Sequence, residues 1–353
     1  MLGRLEGLDA ARGVAVLGMA VVNYDVVLTF SDGEPGFLRA LFDLFQGRAA
    51  AAFVLLAGIG FVWLDSPARL VRRALFLGAI GYGWYELWPG DILHHYAVYL
   101  LLGAVSLRLS SRALVLLSAV AVALFLVAFS MLDYGADWNW MQLDYRTFWS
   151  PVGQVRNQFF NGLHPALPWM AFAWGGMAWA KLDLRNPSVW RLGGLFGALA
   201  VSVSLALSVW LSALPDTRPV MRRIVAWYEA PSSFWALEPI PPGPLYVVSA
   251  LGSAMLLVAL CLELAHRGHD AWMRPLRACG RLALTLYVAH ILLLFALEPL
   301  LGLLESTWLD SVPLVGTALA TLAFWSVALV AALVYDRTGR RGPLEAWMRA
   351  WAG

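Results

Sequence analysis

Apolar stretches of roughly 17–25 residues recur between residues 10 and 335 of this chain. Each is long enough to cross about 30 Å of hydrocarbon as a helix. Unpaired backbone groups are too costly in lipid for anything but helices or closed barrels, and barrel strands would be near ten residues with a period of two. The pattern predicts an all-α, polytopic integral membrane protein. Composition agrees, with 60% of the 353 residues hydrophobic and only 14% charged, where soluble domains are nearer 45–50% and 25%. An ordinary soluble enzyme, a nucleic-acid binder and a secreted disulfide scaffold are excluded. The two cysteines, Cys261 and Cys279, form no CxxC motif.

Ten spans are expected, at about 10–30, 39–63, 70–87, 92–108, 112–131, 164–181, 190–213, 244–265, 279–298 and 312–335. The second is interrupted by Gln46, Gly47 and Arg48. The opening MLGRLEGLDAARG lacks the zones of a signal peptide, so the first span is expected to stay in the membrane. With the N-terminus inside, 18 of the 25 basic residues fall on the inner side and seven on the outer, which predicts both termini in the cytoplasm. The acidic residues lean the other way, 15 of 23 lying outside. Two outer connections, 132–163 and 214–243, are long and rich in aromatics. Such connections are lids, binding surfaces or interfacial belts. No internal repeat or linker divides the chain, so one membrane domain is expected over residues 1–353.

Ionisable groups in membrane helices are functional hypotheses by default. In LDAARG, Asp9 and Arg12 lie three apart and share a helix face at the inner mouth of the first span, with Asn23 more than two turns deeper. The pair reads as a snorkelling arginine with its partner, or as a cation for a phosphate-bearing donor. In WPGDILHHYAVYLL, Asp91 is placed as an N-cap and His94 and His95 sit one turn inside. Adjacent histidines point about 100° apart on a helix of 3.6 residues per turn, so at most one is expected to face a common centre. In NGLHPALPW, Asn161 and Gly162 form a turn and His164 opens a helix before Pro165. In RACGRLALTLYVAH, Arg281 marks the cytoplasmic start of a span that also carries Thr285, Tyr287 and His290. The arginine-rich tail suits an anionic inner surface. There is no Walker A, GxGxxG, HExxH or GxSxG pattern and no metal-ligand run of histidines, so nucleotide hydrolysis and a tightly bound metal are not expected.

Four pieces resemble the transmembrane acyltransferase superfamily, in particular its YeiB-like bacterial branch related to heparan-alpha-glucosaminide N-acetyltransferase. They are LDAARG with downstream VVNY (21–24), GDILHHYAVYLLLG (90–103), NGLHPALPWMAFAWGGMAWAKLDL (161–184) and the ending GRRGPLEAWMR (339–349), with CGRLALTLY before the last helix pair. The resemblance spans most of the chain in the family's order. It implies a multi-pass protein of the bacterial cytoplasmic membrane. This protein would move an acetyl or other short acyl group from cytosolic acyl-CoA to a hydroxyl or amine of an extracytoplasmic glycan or small molecule.

Asn23 matches the asparagine that closes the first helix in the heparan-type enzymes. Those carry an active histidine eleven residues further on, where this chain has Glu34. Another histidine must then supply the base, or the activity differs. His164 is the first choice, ahead of His94 or His95, with Asp91 or Glu34 to orient it and Asn161 or Asn23 to donate to the oxyanion. Arg12, steadied by Asp9, and Arg281 are the expected contacts for donor phosphates. Acyl-CoA, the acceptor and membrane lipids are the expected partners, nucleic acid is not, and a homodimer is compatible with the sequence. The competing reading is a transporter of a small polar or lipid-linked substrate, which would use the same buried polar groups without acyl transfer.

Overall fold

A computed structural model describes residues 5–29, 36–140, 142–213, 235–308 and 314–353. They are helical almost throughout. In chain order the helices are α1 (Glu6–Leu28), α2 (Phe37–Asp43), α3 (Arg48–Leu64), α4 (Pro67–Gly83), α5 (Leu93–Ser106), α6 (Ser111–Met131), α7 (Pro151–Arg156), α8 (Ala166–Ala180), α9 (Pro187–Ser212), α10 (Pro244–His266), α11 (Asp270–Arg281), α12 (Ala283–Trp308), α13 (Leu314–Arg337) and α14 (Pro343–Ala352). A π-helical turn, Asn157–Asn161, continues α7. Between α6 and α7 a two-stranded hairpin pairs β1 (Trp138–Asn139) with β2 (Asp144–Tyr145), Trp138 opposite Tyr145.

A helix lies at each of the ten expected spans, and the helices differ in length. Among the described residues six helical segments are long and apolar enough to cross a membrane, with α2 and α3 taken as one. The number is seven if the bent pair α11–α12 counts as one span. The helices at three expected spans, α4, α5 and α8, have 17, 14 and 15 residues. At 1.5 Å per residue, α5 rises only about 21 Å. The break expected near Gln46–Arg48 is a turn over 44–47, with Gly47 at φ 66°. The ninth expected span is bent by 74° between Arg281 and Ala283. Most of the 214–243 connection lies outside the described residues.

Local starts follow ordinary capping chemistry. Ser66, Ser110, Ser150 and Asn186 each accept a hydrogen bond from a backbone N–H in the first turn of α4, α6, α7 and α9. In α4, α7 and α9 a proline follows the cap, where its missing N–H does no harm.

The chain divides into two compact units, Met1–Phe53 with Leu257–Arg349, and Val54–Leu256 with Ala350–Gly353. In the first, α1 is the central element and packs on α11, α12 and α13. It touches α11 backbone to backbone. A Cβ on Gly280 would lie 2.7 Å from the Asp9 carbonyl carbon and 3.0 Å from the Gly13 nitrogen, and one on Gly13 would lie 3.2 Å from the Gly280 nitrogen. That crossing explains why LDAARG and CGR both carry glycine. In the second unit, α4 packs on α5 and α6 on α8. Apolar side chains such as Leu116 on α6 and Leu195 on α9 are exposed, as expected of surfaces facing lipid rather than water.

Gly280→Ala is expected to destabilise the first unit by about 1–3 kcal/mol, as overpacking does. Ser326→Ala on α13, an exposed hydroxyl bonded to its own helix at Leu322, serves as the neutral comparison. Thermal unfolding of the purified protein in detergent checks this. Equal midpoints for the two variants would remove the α1–α11 crossing as a tight contact.

Candidate functional site

The second unit holds the densest group of buried polar side chains. Asp91 is fully buried just ahead of α5. Its Oδ2 accepts from the backbone N–H of Leu93 at 2.7 Å and of His94 at 3.2 Å, so it makes the cap expected of it. The same oxygen stands 3.4 Å from His94 Nδ1, directing that side of the ring toward the carboxylate. His94 Nε2 is buried and meets no partner. Tyr85 and Phe148, stacked on each other, meet the His94 ring edge-on, with centroids 5.4 and 5.5 Å away.

Both histidines of the pair enter one cluster, contrary to the expectation that at most one would. His94 and His95 have centroids 4.1 Å apart, and His95 and His164 5.8 Å. The helical-wheel argument fails here because both residues lie in the first turn of α5, where the following segments wrap around the helix end. His164 does not open α8, which begins at Ala166. It lies in the turn before it, where its carbonyl accepts from Tyr99 Oη at 2.5 Å. Its ring packs on Trp169, at 4.6 Å between centroids. Tyr99 stands one turn after His95, so α5 carries two of the histidines and anchors the third.

The turn leading to His164 is held by Asn161. Its Nδ2 donates to the carbonyls of Tyr134 at 3.1 Å and Ala136 at 2.9 Å, and its Oδ1 accepts from Tyr145 Oη at 2.9 Å. Its own carbonyl accepts from Trp138 Nε1 at 2.6 Å. Burial pushes the Tyr145 phenol up to about 12, which keeps it a donor. Both amide hydrogens of Asn161 are thus committed to the 132–163 connection. That leaves none for an oxyanion, so Asn161 shapes the site instead of lining it. Gly162 is required by space, since a Cβ there would stand 2.7 Å from His95 Cε1.

Several buried polar atoms around the histidines have no partner: His94 Nε2, His95 Nδ1, His164 Nδ1, Asn157 Oδ1, Gln158 Oε1 and Trp169 Nε1. Each such atom costs about 1–3 kcal/mol when left unmet. Asn157 and Gln158 come from the π-helical turn, a device frequent at functional sites. Sequence reading passed over both, because a π turn has no periodicity that marks it. Among the described residues no three His, Cys, Asp or Glu side chains are grouped so as to hold a metal ion.

The remaining expected residues lie in the first unit. Asn23 Nδ2 donates to His290 Nε2 at 2.8 Å, and His290 Nδ1 lies 3.3 Å from the Leu286 carbonyl. His290 is fully buried among Tyr24, Tyr287 and Phe324. Asn23 therefore has a histidine partner, supplied by α12. Glu34 lies outside the described residues. Two residues after Asn23, Asp25 takes a two-pronged bond from Arg39, at 2.9 and 2.5 Å, and Arg39 also reaches Asp43 at 2.8 Å. Arg12 pairs with Asp9 at 3.0 Å, one turn apart as expected. Arg281 binds Asp336 at 2.8 Å. Both arginines adjoin the Gly13–Gly280 crossing, and both remain partly exposed.

The second unit thus joins a buried carboxylate–imidazole contact to unmet polar atoms around it, and sequence relationships give the class of the protein. Residues 4–215 match the family model described as "Heparan-alpha-glucosaminide N-acetyltransferase, catalytic", and residues 178–353 match the one described as "Protein of unknown function (DUF418)". The chain belongs to the YeiB-like family of membrane acyltransferases related to heparan-alpha-glucosaminide N-acetyltransferase. No curated protein matches it.

Asn161→Ala is expected to loosen the 132–163 connection, at a cost of about 1–3 kcal/mol for each buried group left unpaired. Limited proteolysis of the purified protein should show new cleavage between residues 132 and 163. Unchanged resistance would mean that Asn161 does not hold this segment.

Proposed function

We propose that the chain transfers a short acyl group, acetyl in the simplest case, from acyl-CoA to a hydroxyl or amine of a glycan or small-molecule acceptor. The observation that carries this reading is His94, with its Nδ1 side turned to Asp91 and its Nε2 buried and unpaired. Of the three clustered histidines it is the one that faces a carboxylate, and so it takes the place of His164 as the first-ranked base. His95 and His164 stay in the site beside it. His94 Nε2 accepts the proton of the acceptor's O–H or N–H as that oxygen or nitrogen attacks the acyl carbonyl. The tetrahedral adduct then expels the thiolate, and the imidazolium returns the proton to the sulfur. Asp91 holds the ring orientation and balances the imidazolium charge.

Arg12 and Arg281 supply the donor-phosphate end in this reading, displaced in part from Asp9 and Asp336 by the more highly charged ligand. Basic residues concentrate on the predicted inner side. Donor entry from the cytosol, with both termini on that face of a bacterial cytoplasmic membrane, follows from that bias. Asn23 and His290 form a second buried polar centre, within the first unit. The transport alternative gains one feature, the bend between α11 and α12. A transporter built on repeats would show matched broken helices.

His94→Ala is expected to lower acyl transfer from labelled acetyl-CoA by about 10²–10⁴-fold, the usual worth of a positioned base. Asp91→Asn should retain part of the activity, and His164→Ala should lose less than His94→Ala. Turnover in His94→Ala equal to wild type would remove the proposed base. Failure of the purified protein to bind or consume acetyl-CoA at all would sink the acyltransferase reading of this chain.

A further inference from the structure

We propose that α14 is an interfacial helix that binds the headgroups of anionic phospholipid, and that this contact holds the Glu345 clasp on the bend between α11 and α12. The proposal rests on the structure around α12 and α13 and does not depend on acyl transfer.

The path of the chain puts α14 at a membrane surface. Helix α13 is long and apolar enough to cross a membrane and ends at Arg337, with only residues 338–342 between it and α14. With 10 residues α14 rises about 15 Å, half the thickness of the hydrocarbon layer, so it cannot cross. Its first turn is fastened to the start of α12. Glu345 Oε1 accepts from the backbone N–H of Leu284 at 2.8 Å and of Thr285 at 3.0 Å. Glu345 Oε2 accepts from Thr285 Oγ1 at 2.5 Å, and that hydroxyl accepts from the Leu344 N–H at 3.3 Å.

The outward side of this segment has a different chemistry. Trp347 and Trp351 lie one turn apart and are 61% and 59% exposed. An indole, with its apolar body and single N–H, is favoured in the headgroup layer over either water or hydrocarbon. Residues 335–353 hold two acidic side chains, Asp336 and Glu345, and four basic ones, Arg337, Arg340, Arg341 and Arg349. Both acids are engaged inside the protein, Asp336 by Arg281 at 2.8 Å and Glu345 by α12, whereas all four arginines are exposed. Guanidinium groups match phosphate geometry. A free phosphate would answer the arginines alone, while an anionic phospholipid surface answers the arginines and the indoles together. Because Glu345 also caps α12, lipid that binds α14 in its docked position stabilises the capped bend by linkage. Arg281 stands at the α11 side of that bend.

Hydrogen exchange of the full chain, in nanodiscs of phosphatidylcholine alone or mixed with phosphatidylglycerol, tests both parts. Phosphatidylglycerol should slow exchange along α14 and at the start of α12 and leave α6 unchanged. Native mass spectrometry should show phosphatidylglycerol retained over phosphatidylcholine, a preference that drops about fivefold for each arginine removed in Arg340→Gln and Arg341→Gln. Both positions are exposed, so these variants should fold as wild type does. Inorganic phosphate added to phosphatidylcholine discs should protect nothing. Glu345→Ala should speed exchange at Leu284 and Thr285 and make it independent of lipid. If that variant does not fold, Thr285→Val, which removes the hydroxyl contact and keeps the side-chain shape, should show the same change in weaker form. Equal exchange in the two lipids, an undiminished lipid preference in the doubly substituted protein, or protection by inorganic phosphate alone would overturn the lipid assignment. A lipid effect at the start of α12 that persists in full without the Glu345 contacts would overturn the clasp.

Discussion

The histidine cluster depends on Asn161. Its side chain ties two carbonyls of the 132–163 connection and a buried phenol to the turn that precedes α8. Without those bonds the π-helical turn carrying Asn157 and Gln158 would have no fixed end, and His164 would have no fixed approach to α5. In a bundle where water is scarce, each polar atom must be answered by another protein atom or by a ligand. Asn161 shows the first outcome, with its whole amide engaged. His94, His95 and His164 each keep a buried nitrogen that no protein atom answers.

The first unit applies the same constraint differently. Its central helix α1 carries Asp9, Arg12, Asn23 and Asp25, and each is matched: Arg12 by Asp9, Asn23 by His290 and Asp25 by Arg39. The α11–α12 bend leaves backbone N–H groups at the start of α12 without intrahelical partners. Glu345 of α14 answers them, accepting from Leu284 N–H at 2.8 Å and Thr285 N–H at 3.0 Å. The GRRGPLE ending is thus explained in part as a cap delivered from another helix.

Helix positions were readable in the sequence because apolar runs in a membrane protein report length and little else. Helix length was not readable, since α5 and α8 end where polar turns begin. At the site, Asp91, His94, His95 and His164 stood out because ionisable residues are rare in such a chain. Asn161 stood out too, but its role did not, since a sequence cannot show which hydrogens an amide has already committed. Gln158 did not stand out, and His290 did so only as a polar group in an apolar run. The first lies in a π turn and the second meets Asn23 267 residues away in the chain, and neither relation leaves a local pattern.

The most direct test of the central claim is a cryo-electron microscopy map of the protein with a non-hydrolysable acetyl-CoA analogue. The account predicts that the acyl carbonyl lies within hydrogen-bonding reach of the group formed by His94, His95 and His164, with Asp91 still directed at His94. An analogue whose acyl end lies away from all three histidines would contradict it.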